Sequence, residues 1–578
     1  MARKCPAIVA LLLLLAPPAI VMPAACARSQ APPPPADFDL VISGGRVVDG
    51  TGAPWFRGDI GIVGDEIRAV GNLAGRTARS RVDASGRVVA PGFIDMLGQS
   101  EFNVLVDNRA ASKIMQGVTT EVTGEGTSIA PINDRLIAEM SPMLTHYNVT
   151  ADWRTLAEYF QRLDERTHPA INLATFVGAG GVRNYVIGRE DRPATAQELD
   201  QMKQLVARAM EQGALGLSSS LQYVPDRFAP TAEIVALAQV AATYGGVHLT
   251  HQRSEANKIF ESLDEVFAIA EQARIPTEIW HLKTAYKANW GRMPEVLARI
   301  EAARARGLDV TANQYPYTRA SNGLDSCLPI WAREGGIEKT IARLKDPALR
   351  ARMKQEMDDP TVTEWENQWY GAGGGDGILL TSVLNADLKK YEGMTLTEIG
   401  KAMNRDPRDA VMDLVIADGG NSSCVTSIMS EEDVRTALAH PLVSIDTDSG
   451  ALAEDGPLSD TRSHPRAWGT FARILGRYVR DERLLTLEEA VRKMTSRPAA
   501  RVGLADRGII RPGMKADIVV FDPATIADKA TFEDPRHYSV GIDTVLVNGR
   551  AVVASGTITA ERPGRALRGP GYQKAPTG

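Results

Sequence analysis

Gly246-Val-His-Leu-Thr-His251 and, one helix length further on, Thr277-Glu-Ile-Trp-His281 are short strand-like runs that each end in a histidine. The amphipathic segment Leu263 to Ala273 separates them, and strands alternating with such helices belong to parallel β/α units. The alternation continues outward. Upstream stand Phe93 to Met96, Thr119 to Thr123, Asn172 to Val177 and Gly216 to Ser220; downstream stand Asp309 to Asn313 and Val443 to Thr447. Further helices are read at Ala196 to Glu211, Thr231 to Tyr244 and Met293 to Arg306. The class is α/β, and eight units make a closed (β/α)8 TIM barrel over 91–505 the natural count. The stretch 334–421 is too long for a simple connection. It reads as an insertion near the active face, partly flexible around Gly371-Ala-Gly-Gly-Gly-Asp376.

Outside the barrel the pattern changes to short strands parted by turn residues. Asp39 to Ser43, Arg46 to Val48, Asp59 to Val63 and Glu66 to Val70 stand before it; Ala516 to Phe521, Thr544 to Val547 and Arg550 to Val553 stand after it. The two ends, 39–90 and 506–565, are expected to meet in one small β-sandwich, leaving 566–578 as a tail.

The chain has 578 residues, 44% of them hydrophobic and 24% charged, which excludes wholesale disorder and a multispan membrane protein. Arg3 and Lys4, the apolar run from Ile8 and the small residues Ala24 to Ala27 read as a signal peptide, 1–27, followed by an Ala/Pro-rich linker, 28–38. Export to the periplasm or beyond follows, with no membrane span left after cleavage. Lipoprotein processing at Cys26 ranks second, because Pro23 suits it poorly. Cleavage moves the formal charge from −6 to −8, Arg3 and Lys4 being the only charges lost, so nucleic acid is not an expected partner. Cys327 and Cys424 remain, too few for a disulfide framework, and read as buried thiols.

Reactive residues of a barrel project from the C-terminal strand ends. His251 and His281 sit at the tips of consecutive strands and can face one metal. Glu125 follows the second strand, and Asp446 and Asp448 lie in Val443-Ser-Ile-Asp-Thr-Asp-Ser-Gly450 at the end of the last. Two histidines and a carboxylate leave the open position that a catalytic zinc needs. A lone strand-end histidine is more often hydrogen-bonded scaffold, and Glu125 or Asp448 alone could be a loop or turn carboxylate. Two imidazoles at successive tips are harder to dismiss. Lys283, two residues beyond His281, faces the same mouth. Arg253 stands likewise beyond His251, where it can contact substrate or order a loop. His146, His168, His440 and His537 read as surface or structural, and His248 stays unassigned.

Asp39-Leu-Val-Ile-Ser-Gly-Gly-Arg-Val-Val-Asp-Gly50, Ala90-Pro-Gly-Phe-Ile-Asp95 and Ala516-Asp-Ile-Val-Val-Phe-Asp522 resemble the amidohydrolase superfamily. Gly117-Val-Thr-Thr120, Gly213-Ala-Leu-Gly-Leu-Ser218, His281-Leu-Lys283, Tyr315-Pro-Tyr317, Met429-Ser-Glu-Glu-Asp433 and His464-Pro-Arg466 resemble its N-acyl-D-amino-acid deacylases, or D-aminoacylases. The resemblance runs from about Asp39 to Gly556. It implies zinc held by His251 and His281, a proton moved by Asp448, and a substrate carboxylate held by Lys283, Tyr315 and Ser321; Arg466 is a further candidate for substrate contact. Two positions depart from the family. Gly124-Glu-Gly126 stands where the family has a cysteine ligand, so Glu125 is the expected third ligand, as a glutamate is in the related N-acetylglucosamine-6-phosphate deacetylases. Leu97 and Gln99 replace the usual His-x-His, so one Zn2+ per chain is the expectation.

The resemblance therefore implies zinc-dependent hydrolysis of N-acyl amino acids, of D configuration, to a carboxylate and a free amino acid. Asp448 would take a proton from the attacking water and return it to the leaving nitrogen. A cyclic ureide, dipeptide or acylated sugar as substrate, and a non-catalytic binding protein on the same fold, are the alternatives. Stereochemistry, acyl chain and oligomeric state are not written in the sequence.

Overall fold

The computed structural model describes residues 36–362, 365–460 and 462–574. The signal-peptide and lipoprotein readings, most of the linker and residues 575–578 lie outside these. No described helix is long and apolar enough to cross a membrane.

Eight parallel strands carry the centre: β1 (Phe93–Asp95), β2 (Val118–Thr123), β3 (Asn172–Thr175, continued by Val177–Gly178), β4 (Gly216–Ser220), β5 (Val247–His251), β6 (Thr277–Ile279), β7 (Val310–Gln314) and β8 (Val443–Ile445). Each pairs in parallel with the next. Between β8 and β1 the chain makes a parallel bridge, Gly98 to Ser449, and the Met96 amide donates to the Ile445 carbonyl at 3.5 Å. Helices fill most connections. The helix Ala196–Glu211 begins at a reciprocal cap between Thr195 and Glu198 and buries Met202, Val206, Ala209 and Met210, one face at helical spacing. The other face of each strand points inward, where Ile94, Val122, Phe176, Leu249 and Trp280 pack together. Leu97 belongs to this interior and is fully buried.

A buried lysine pins the first strand to the loop after the last. Lys113 Nζ donates to Asp95 Oδ2 at 2.7 Å, Thr447 Oγ1 at 2.6 Å and the Ser449 carbonyl at 2.7 Å, with no part of Lys113 or Asp95 exposed. Such a network fixes geometry more than it adds stability, because desolvation offsets most of the attraction.

The two chain ends build two sheets over a common core. Four strands come from 38–83 alone, whereas the larger sheet joins Val88–Pro91 to Ile518–Phe521 in antiparallel register, Val89 opposite Val520. Ile42, Val47, Ile60, Ile62, Ile518 and Leu546 fill the space between them. The strand Ala78–Asp83 escapes the sequence reading because it is polar and mostly exposed, with no apolar alternation to mark it.

Two expectations need correction. The segment around 334–421 is not a loosely held insertion: helices and an antiparallel sheet, Ala320–Gly323, Ser423–Thr426 and Ile378–Ser382, enclose their own core of Leu324, Met353, Trp369, Leu380, Leu396 and Val411. Gly371 to Asp376 closes a helix and enters a tight 3-10 turn instead of forming an open loop. Nor do residues 566–574 trail away as a tail. Leu567 donates its amide to the Leu173 carbonyl at 2.7 Å and Gly569 to that of Gly213 at 2.8 Å, so the segment lies along the N-terminal ends of β3 and β4. Cys327 and Cys424 are buried thiols, as expected.

Candidate metal centre and substrate cavity

Glu125 stands between two glycines because its turn admits nothing larger. Gly124 and Gly126 have φ of +94° and +58°, and a Cβ on Gly126 would lie 2.4 Å from the Cβ of Ser220. The turn carries the carboxylate from the end of β2 to the tips of β5 and β6. Glu125 Oε1 lies 3.1 Å from His251 Nδ1 and 3.3 Å from His281 Nε2. One donor atom from each of the three residues fits within 4.8 Å of the others, so they could hold a metal ion.

The far nitrogens decide which atoms are free to ligate. His251 Nε2 lies 2.9 Å from Gln222 Oε1, an acceptor, which leaves Nδ1 unprotonated towards Glu125. His281 Nδ1 has two neighbours, Glu255 Oε1 at 2.9 Å and Lys283 Nζ at 2.8 Å. An ammonium can only donate, so Glu255 is the group that keeps the proton on Nδ1 and Nε2 open. Glu255→Ala is therefore expected to weaken metal binding about 10–100-fold, read by competition with a chelator. Unchanged affinity would remove Glu255 from this role.

Charge around these imidazoles is unbalanced in the sense a cation corrects. Burial and Lys283 act to lower the His281 pKa, yet Glu255, Asp448 and Glu125 together raise it to about 10. Burial likewise opposes ionisation of Glu125, but the two histidines hold its carboxyl well below the usual range. Three carboxylates pressed on two rings suit a divalent ion.

His281 and Asp448 both adopt left-handed backbone, φ of +37° and +45°, which costs on the order of 1–3 kcal/mol for a side-chain-bearing residue and turns both groups into the mouth. Asp448 Oδ2 pairs with Arg466 Nη1 at 2.8 Å, and Oδ1 accepts from Gln99 Nε2 at 3.1 Å. The same Gln99 nitrogen donates to Glu125 Oε2 at 3.1 Å, so one neutral amide bridges the two carboxylates. Burial raises the pKa of Asp448 despite Arg466. Asp446, two residues earlier, is fully buried, and its carboxyl is pushed well up by burial and then by Asp448.

Above the three donors opens a cavity of about 630 Å3, bordered by Lys283, Tyr315, Ser321 and Arg466 as well as Asp448. The Tyr315 ring has the Arg466 guanidinium 4.5 Å from its centre and Lys283 Nζ 5.6 Å from it, on a residue wholly buried. Arg466 Nε is buried and has no hydrogen-bond partner among the described residues. These cations make one corner of the cavity fit for a carboxylate.

Arg253 is not brought there. Glu265 on the following helix takes its Nε and Nη2 at 2.8 Å each, its remaining donors go to the carbonyls of Arg227 and Ala229, and it borders a neighbouring pocket. The chain turns after Gln252, so strand parity no longer predicts direction, and Arg253 orders the loop. His248 hydrogen-bonds Ser219 inside the fold, while His146, His168, His440 and His537 stay away from the cavity. Gln222 and Glu255 went unread in the sequence, although both follow strands β4 and β5 closely, where polar side chains can reach a strand-tip site.

The sequence model of the amidohydrolase family matches residues 81–363 and 403–553. N-acyl-D-glutamate deacylase of Alcaligenes xylosoxydans xylosoxydans is 36% identical over 531 residues, which cover 92% of this chain and 96% of that relative. A D-aminoacylase structure, described for the functional role of its binuclear metal centre, with one-metal activation and second-metal attenuation, superposes with a TM-score of 0.76 at 36% identity, over 92% of this chain and all of the other. N-acyl-D-glutamate deacylase from Bordetella bronchiseptica, complexed with zinc and a phosphonate mimic of the tetrahedral intermediate, gives 0.76 at 34% identity, over 92% and 99%.

Proposed function

The chain belongs to the amidohydrolase family and is a metal-dependent hydrolase of carbon–nitrogen bonds other than peptide bonds; on that premise we propose that it is a single-zinc deacylase of N-acyl-D-amino acids. The observation that carries this reading is one cavity with the Glu125, His251 and His281 donors at its base and the cations Lys283 and Arg466 at its side. Glu125, His251 and His281 would hold the zinc, which would supply a Lewis acid and lower the pKa of water there to about 7. Asp448 would accept a proton from the attacking water and return it to the leaving nitrogen. Lys283, Tyr315, Ser321 and Arg466 hold the α-carboxylate, which sets the amide over the metal donors. The products are a carboxylic acid and a D-amino acid.

One zinc is favoured by Leu97, an apolar residue in the core, and by Gln99, whose neutral amide already bridges Glu125 and Asp448. The Gly98 to Ser449 bridge supports a closed (β/α)8 barrel, with a β-sandwich formed by 39–90 and 506–565. The signal-like pattern of 1–27, Arg3 and Lys4 before an apolar run and small residues, supports reading the enzyme as exported.

The test is a comparison of paired D and L N-acyl amino acids, each with its methyl ester, with amine release as readout. The free D acids are expected to turn over and the esters to lose most of their apparent affinity. Lys283→Ala should raise KM for the acid about tenfold to a hundredfold, the worth of a charge-assisted hydrogen bond, with little change for the ester. Equal KM values for acid and ester in the wild type would take the carboxylate out of recognition.

A further inference from the structure

One metal donor, Glu125, stands in a wall between two spaces. Behind Glu125 lies a second cavity of about 410 Å3, and Gln99, Phe102, Glu125 and Met143 border both it and the substrate cavity. It has an apolar side that the first cavity's Lys283 and Arg466 corner lacks. Ile129, Ile132 and Phe102 form its inner side, and the helix Asp134–His146 roofs it with Leu136, Met140 and Met143, spaced i, i+4 and i+7 on one face. A face of that kind normally packs against core; here Met140 and Met143 are only half buried because they look onto the cavity.

The charges on this side exclude a carboxylate. Glu101, Glu125 and Glu139 border the space, and the one cation, Arg189, lies 3.8 Å from Glu139. Burial pushes the Glu101 carboxyl up to about 8, which lessens the charge on this side without supplying a cation. The two substituents of an amide leave its carbon and nitrogen in opposite directions. With the amino-acid carboxylate drawn to Lys283 and Arg466, the acyl carbon chain is directed past Glu125 and Phe102 to the other side of the wall.

We propose that this second cavity is an acyl-chain subsite and that the preferred substrates carry a medium- or long-chain aliphatic acyl group, as in lipid-derived N-acyl amino acids, instead of acetyl. This rests on the reading of the site as an N-acyl amino acid deacylase. Methionine suits the role, since its unbranched side chain adapts to chains of different length.

Kinetics of the zinc enzyme on one D-amino acid bearing acetyl, hexanoyl, octanoyl and dodecanoyl groups test it. kcat/KM is expected to rise by up to about fourfold per methylene, the worth of burying a CH2, until the cavity is filled. Met140→Trp, placed on the half-exposed roof so that the core is spared, should collapse the octanoyl to acetyl ratio while the zinc equivalent shows that the protein is folded. A flat series, an acetyl preference, or a ratio untouched by Met140→Trp would overturn the acyl subsite and leave the deacylase reading standing. Hydrolysis of no member of the series would overturn that reading and the subsite with it.

Discussion

His281→Ala is expected to lose its zinc on dialysis and to have no measurable turnover. The residue is one of the three clustered donors found among the described residues, and its ring also separates Glu255 from Glu125. Removing it leaves two buried carboxylates facing each other with Lys283 as their nearest cation, a set that offers neither the geometry nor the ligand number of a zinc site. The loss should exceed the roughly 10–100-fold that follows from disturbing an outer partner. Elemental analysis reads it directly. A full zinc equivalent retained by the variant would refute the ligand assignment.

The second large effect separates proton transfer from ligation. Asp448→Asn should keep the zinc and lower kcat by about 10²–10⁴-fold, the usual worth of general acid and base work. The exchange is close to isosteric, and asparagine tolerates the left-handed backbone at this position, so the turn after β8 has no new reason to move. Gln99 and Arg466 can still reach an amide oxygen, whereas the proton acceptor is gone. Two tightly held metals in the wild type, or loss of the only one in Asp448→Asn, would make Asp448 a ligand and end the single-zinc scheme.

The strands and helices of the centre were legible because their signals are local. Helix Ala196–Glu211 has the bounds its capping pair and apolar spacing predict, and β4 those that Gly216 and Ser220 mark. Both histidines were legible because a strand tip fixes where its last side chain points. What lies past a strand tip was not, since direction there depends on how the loop turns. Arg253 therefore went to Glu265, while Glu255, two residues later, came back to His281 and Lys283. The ordered core around Trp369 was hidden by the glycines beside it, which read as looseness and serve instead as tight turns. The apolar roof of the second cavity was invisible for a different reason: a helix face over a void has the same spacing as one over a core.

The pairing of the two chain ends has a consequence for how the protein is made. Val88–Pro91 waits for Ile518–Phe521, a partner on the order of 400 residues away, and such distant pairings are slow to form. Under β3 and β4, the carbonyls of Leu173 and Gly213 wait longer still, for Leu567 and Gly569. A chain still on the ribosome thus carries an open sheet edge and an unfloored set of strands, the kind of surface that chaperones cover and that aggregation exploits. Folding of the barrel is therefore not complete until Leu567 and Gly569 have emerged.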